Sequence, residues 1–189
     1  MKKVLALALL VFGVIQLGDG VYIAAKAEVA QVLLDRAWAE TLQGKQKTKP
    51  WPWADTWPVA RLVLPAVDQE VIILESTSGQ ALAFGPGRMT TLSDFGAPGY
   101  SIVAAHNDTH FKDLDELVTG STILVETADG RVHHYRVSGY EIIDTRKPLY
   151  LTSMPGSQLI LSTCYPFDAL TSQTPLRYLV YAEWLGSTP

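Results

Sequence analysis

The side chains able to do nucleophilic chemistry are few, and they stand where apolar runs stop. The chain has one cysteine, Cys164, closing "QLILSTC" immediately before Tyr165 and Pro166. A proline there ends regular strand pairing, so a thiol at that point lies at the mouth of a strand. The thiolate is the reactive form and a free thiol titrates near about 8.5, so a useful cysteine needs a base or a cation beside it. Taken alone, Cys164 reads equally as a small buried hydrophobe.

His106 closes "YSIVAAH" as Cys164 closes its own run, and it is the candidate base. His110 follows it with Asp108 between. On a helix that spacing would suit a metal, but "HNDTHF" reads as a loop and the metal reading is weak. His133 and His134 are neighbours in a strand and point to opposite faces, so at most one of them can face a site. Arg177 is the sole charge opening the apolar run "LRYLVYAEWL". It reads either as a rim arginine in a salt bridge or as a cation for a developing oxyanion.

The elements that must position these residues are short strands. From Val59 onward the runs "VARLVLP", "EVIILES", "GYSIVAAH", "STILVETADG", "VHHYRVSGYEIID", "QLILSTC" and "LRYLVYAEWL" alternate with Gly, Pro, Asp and Ser punctuation. Asp129-Gly130 marks a tight hairpin. One short helix is expected at "FKDLDELV" and a helical turn at "QALAFGPGRM". Many short strands with few helices predict a mainly β domain, a closed barrel or a sandwich, over residues 59–189.

Upstream, "KAEVAQVLLDRAWAETLQ" predicts a helix with Val29, Leu33, Ala37 and Trp38 near one face. The Pro- and Trp-rich stretch after it ends regular structure, so 26–58 reads as a helical stalk and connector. Trp51, Trp53 and Trp57 are expected to clamp that connector onto the domain, the alternative being a membrane belt. Residues 1–25 begin "MKK" and continue with an apolar stretch. They read as an N-terminal membrane-anchor helix, or alternatively as a signal peptide cleaved after "AKA". Lys2 and Lys3 then favour a cytoplasmic N-terminus with the main domain exported. A net charge of −4 and no basic stripe argue against nucleic-acid binding. In an exported domain a lone cysteine cannot form an internal disulfide and calls for another explanation.

The three sites together resemble the sortase family of cysteine transpeptidases. The family pattern around the nucleophile is T-L-x-T-C; "LILSTC" matches at Leu161, Thr163 and Cys164, with Ile160 in place of the first Thr. Many members carry G-H-x-D-T-x-F; "AAHNDTHF" matches at His106, Asp108, Thr109 and Phe111, with Ala105 in place of the Gly. Arg177 opens the last strand after a loop, as the family's arginine does. The N-terminal segment and the "KPWPWADTWPVARL" entry into the domain look most like the Gram-negative branch.

The resemblance implies an eight-stranded β-barrel in which the Cys and His strands lie side by side with the Arg strand next to the Cys strand. It implies that Cys164 attacks a peptide carbonyl in a C-terminal sorting signal of a client protein, and that an amine nucleophile resolves the thioacyl enzyme. His106 would shuttle the proton and Arg177 would stabilise the oxyanion together with the Tyr165 backbone N–H. Thr163 would support the nucleophile, and Asp108 would orient the histidine loop unless it is only a turn residue. No cofactor or metal is implied; Asp113, Asp115 and Glu116 read as a solvated face rather than a calcium loop. Competing readings are another exported Cys–His peptidase or L,D-transpeptidase-like enzyme, and a non-catalytic β-barrel envelope binding domain. The first two would want a Ser-x-Gly-Cys loop or a helix-borne cysteine, contexts that "LILSTCYPF" does not supply.

Overall fold

The computed structural model describes residues 12–13, 25–148, 151, 156–168 and 174–189. Eight strands close a barrel: β1 (Pro58–Leu64), β2 (Gln69–Leu74), β3 (Gly87–Arg88), β4 (Gly99–Ala104), β5 (Thr122–Thr127), β6 (Val132–Asp144), β7 (Ser157–Cys164) and β8 (Leu176–Thr188). Their order around the barrel is β1-β2-β3-β4-β7-β8-β6-β5. Of the two predicted β architectures, the barrel is the one formed. Closure leaves no free strand edge, which in an apolar sheet would be a template for aggregation.

Alternation builds the core. In β1, Ala60, Leu62 and Leu64 point inward and are buried. Between them Arg61 faces out and bridges Glu70 on β2 at 3.0 Å and Glu126 on β5 at 3.5 Å. Leu159 and Leu161 of β7 meet Val103 of β4 and Val180 of β8 in the same interior cluster. The opposite face of these three strands is also apolar: Ile102, Ile160 and Leu179 form a separate outer cluster. Strands covered on both faces read as near-continuous hydrophobic runs, as "QLILS" does.

β3 and the segment before β5 depart from the sequence reading. β3 is only two residues long, too short for any periodicity to announce it. The segment "FKDLDELV" forms a single 3-10 turn over Leu114–Glu116, with Leu114 and Leu117 buried in the core.

The predicted upstream helix, α1, covers described residues 25–42, and its buried face is shifted. Ala30, Leu34, Ala37, Trp38 and Thr41 are buried, whereas Val29, expected on that face, is 58% exposed. Leu34 and Trp38 pack on Ile72 and Leu74, the outward side chains of β2, and on Ala81 of the short helix α2 (Gly79–Leu82). The wall offered by β2 fixes the rotation of α1, and the sequence of α1 alone does not contain it.

The connector folds back along α1. Trp51 sets its ring edge-on to Phe84 at 4.8 Å, and Gln31 Nε2 donates to the Phe84 carbonyl at 2.9 Å. Trp57 is held through its carbonyl, which accepts from Glu75 N–H at 3.0 Å. Trp53, expected to clamp the connector, is instead 80% exposed. The anchor expected at 1–25 lies almost entirely outside the described residues. Among the described residues no helix is long and apolar enough to cross a membrane.

Candidate active site

The site is set by register. β7 runs parallel to β4, with Ala104 opposite Ser162, and antiparallel to β8, with Cys164 opposite Arg177. The β4–β7 ladder continues past the strand end, because Ala105 N–H donates to the Ser162 carbonyl at 3.1 Å. Two more residues in that register bring His106 level with Cys164. Period-two alternation puts Leu161 and Thr163 inside the barrel and leaves Ser162 and Cys164 on the outer face. The same count places Arg177 with Leu179 on that face, and His106 with Ala104. Histidine, cysteine and arginine thus form one row across three adjacent strands at the barrel rim.

They line a single groove of about 230 Å³ with Thr163, Ser162 and Leu82 of α2. Cys164 is a free thiol and is half-buried. Thr163 is 2% exposed and its Oγ1 donates to the Ala105 carbonyl at 2.8 Å. That bond ties the residue before the cysteine to the residue before the histidine. A second tie joins the loops beyond them: Asn107 Nδ2 donates to the Pro166 carbonyl at 3.0 Å. The histidine loop is closed on itself by Phe111 N–H, which donates to the His106 carbonyl at 3.0 Å.

Arg177 makes no ion pair among the described residues, so the salt-bridge reading of it fails there. Its Nη1 donates instead to the carbonyls of Thr174 at 2.7 Å and Leu176 at 2.8 Å. Carbonyl partners fix the guanidinium without neutralising it, which keeps a full positive charge at the rim. His110, on the same loop as His106, is held below its ordinary pKa mainly by burial, then by the like charge of His106, with Asp108 pulling the other way.

The remaining expected site residues lie elsewhere. Tyr165 turns its ring toward the core, 6.4 Å from Phe167 and 6.5 Å from Tyr178. Its N–H donates to the Leu176 carbonyl at 3.2 Å, so in this structure that donor is already engaged. Asp108 is exposed and does not line the groove. Sequence reasoning missed Asn107 and Leu82. Asn107 was within reach, being next to His106, but its partner Pro166 is distant in sequence and only the fold reveals it.

A family model for the sortase domain matches residues 62–185, well over half of the chain. The chain belongs to the sortase family. Sortase D of Bacillus subtilis is 28% identical over 123 residues, a match covering 65% of this chain and 61% of that protein. The chain therefore spans less than two thirds of the curated relative it matches. Among solved sortases, sortase C-1 of Actinomyces oris superposes with a TM-score of 0.60 at 26% identity, covering 68% of this chain and 75% of that one. Sortase A of Corynebacterium diphtheriae gives 0.63 at 22% identity, covering 78% and 69%, and shows the shared fold. The two departures from the motif, Ile160 and Ala105, both have defined places in this fold. Ile160 is fully buried in the outer apolar cluster, and Ala105 offers the backbone carbonyl that Thr163 binds.

Proposed function

We propose that this sortase is a membrane-tethered cysteine transpeptidase of the Gram-negative type, with its barrel on the periplasmic side of the inner membrane. Residues 1–25 serve as the anchor and 26–58 as the link to the catalytic barrel. The observation that carries the catalytic reading is the row of His106, Cys164 and Arg177 on one face of three paired strands, lining one groove.

The client presents a C-terminal sorting signal along the groove. Cys164 thiolate attacks the scissile carbonyl; a C–S bond forms as the C–N bond breaks, and His106 gives its proton to the departing amine. The tetrahedral oxygen bears its negative charge beside Arg177, whose unneutralised guanidinium stabilises it. An acceptor amine then attacks the thioester. His106 takes the proton from that nitrogen, the new amide forms, and sulfur leaves as thiolate. Thr163 acts by holding the Cys and His strand ends in register, and Asp108 acts on the histidine loop from outside the groove.

The experiment is trapping of the full chain in membranes with a candidate client, followed by mass spectrometry of Cys164. A thioacyl adduct on Cys164, absent in Cys164→Ala, is the expected result. Peptide cleavage that persists undiminished in Cys164→Ala refutes the reading.

A further inference from the structure

At the opposite end of the barrel from Cys164, His133 at the start of β6 is 3% exposed, and among the described residues its Nδ1 has no hydrogen-bond partner. Its other nitrogen, Nε2, lies 3.3 Å from Thr127 Oγ1. The single hydroxyl proton of Thr127 is drawn to Asp129 Oδ1 at 2.6 Å, so toward the histidine Thr127 is an acceptor. His133 is therefore the tautomer with hydrogen on Nε2, and Nδ1 is bare. What covers Nδ1 is Gly96, in the loop between β3 and β4. A Cβ built on Gly96 would collide with Nδ1 and Cε1 of His133, so the loop backbone lies directly on the ring.

That loop is fastened by a short set of contacts. Gly96 N–H donates to Tyr135 Oη at 2.9 Å inside the barrel, Phe95 inserts into the core, and Asp94 pairs with Arg88. Further along, Ser93 N–H donates to the Tyr100 carbonyl at 3.0 Å, and Leu92 packs on the outer cluster of Ile102, Ile160 and Leu179. The loop thus joins the His133 end of the barrel to the apolar floor that leads along β4 and β7 to the Cys164 rim.

We infer that His133 is a proton-operated latch: neutral, it lets the loop lie on the ring, and on taking a proton at Nδ1 it releases the loop from the barrel end. A protonated Nδ1 would aim a charged N–H at the Gly96 backbone with no acceptor in reach among the described residues, and a buried unsatisfied charged donor is among the most costly groups to keep. The charges around the ring act as follows. Arg131 on the β5–β6 turn and His134 on the far face of β6 disfavour the proton, while Asp129 on the turn favours it. Arg88 of β3 and Asp94 of the loop line the same cavity of about 290 Å³. From β8 the ring faces Trp184, 6.5 Å away, and from β1 Val59, both uncharged. Burial is the largest influence and pulls His133 below its ordinary pKa. Asp129, held near about 2 chiefly by Thr127 and Arg131, stays a carboxylate throughout, so the tautomer is fixed over the working range.

The sign follows from linkage. Release frees His133 toward its ordinary pKa of 6.5, so the released form binds the proton more tightly. The released population rises as pH falls below that value, by up to about tenfold per pH unit until the latched histidine also titrates. The latch does not depend on the reaction; its effect on the groove rests on the transpeptidase reading.

The test is hydrogen exchange of the full chain between pH 7.5 and 5.5 (both about these values), read on the peptide containing Gly96 and corrected for the intrinsic pH dependence of exchange. Wild type is expected to lose protection as pH falls, and His133→Gln to show a flat profile. No loss in wild type, or the same loss in His133→Gln, overturns the latch. Should His133→Gln not fold, the imidazole of wild-type His133 is titrated by NMR. A midpoint at or above the ordinary value, or titration with no change at the Gly96 amide, overturns it equally. A parallel measurement of KM for a donor peptide, expected to change over the same window only in wild type, separates the two claims. A protein inactive at every pH refutes the transpeptidase reading and leaves the latch standing.

Discussion

Replacing Thr163 by valine removes one hydroxyl and keeps the branched shape. The hydroxyl lost is the donor to the Ala105 carbonyl at 2.8 Å, in a site where Thr163 is buried. Ala105 is itself buried at 6% exposure, so the cost is that of an acceptor left without its partner in a mostly buried site, about 1–3 kcal/mol. For a chain of this size each kcal/mol lowers the unfolding midpoint by about 2–4 °C, so a fall of roughly 2–12 °C is expected. The same bond joins the residue before Cys164 to the residue before His106. If about 1.4 kcal/mol of its energy serves to hold the two strand ends in register at the transition state, kcat/KM falls about tenfold. Thermal unfolding followed by circular dichroism and steady-state cleavage of a donor peptide measure the two effects. The pH profile keeps its shape, because no titrating group has been touched. Unchanged stability and unchanged kcat/KM together would refute the role assigned to this bond.

Other perturbations have equally direct outcomes. Arg177→Lys keeps a charge but loses the planar guanidinium whose Nη1 holds the Thr174 and Leu176 carbonyls and whose other N–H groups stay free for the oxyanion, and kcat is expected to fall about 10²-fold with KM little changed, by single-turnover kinetics. Gly96→Ala forces a Cβ into the His133 ring at a φ of +76°; it is expected to lower the unfolding midpoint, and a double-mutant cycle with His133→Ala is expected to recover part of the loss. Trp38→Ala empties the contact between α1 and the outer wall of β2 and is expected to cost about 3–5 kcal/mol in denaturant unfolding. Asp144 is held down to about 2, chiefly by Arg146, so its contribution to stability is complete above its unfolded value of 3.8 and lost as pH falls toward 2. Asp144→Asn is expected to remove that part of the acid dependence.

The strands were legible because their apolar residues alternate or run together; "VHHYRVSGYEIID" coincides with β6 from end to end. Cys164, His106 and Arg177 were legible because strand-end chemistry and the family motifs agree on them. Their convergence was legible only through the family resemblance, since parallel pairing of β4 with β7 is a non-local choice that no short window of sequence encodes. The rotation of α1 was misread for a related reason: Val29 and Ala30 are both apolar, and only the surface presented by β2 chooses between them. Tyr165 shows the limit of placing donors from a motif. Its backbone N–H follows the nucleophile, yet the β7–β8 ladder runs one residue further than the strand pattern suggests and takes that donor. From sequence His133 is only one of two strand histidines on opposite faces, and nothing in its neighbours along the chain announces Gly96.

The parallel β4–β7 pair also sets an order of assembly. A parallel ladder cannot close through a tight turn, and here β5, β6 and their connections lie between its two strands. His106 therefore waits on a partner strand that leaves the ribosome much later, and Cys164 waits on β8, the last element of the barrel. Contacts of such long sequence separation form late in folding. A nascent or truncated chain that ends before β8 carries the thiol without its cation. On the proposed mechanism, the groove that joins the thiol to its histidine and arginine is complete only when the barrel closes.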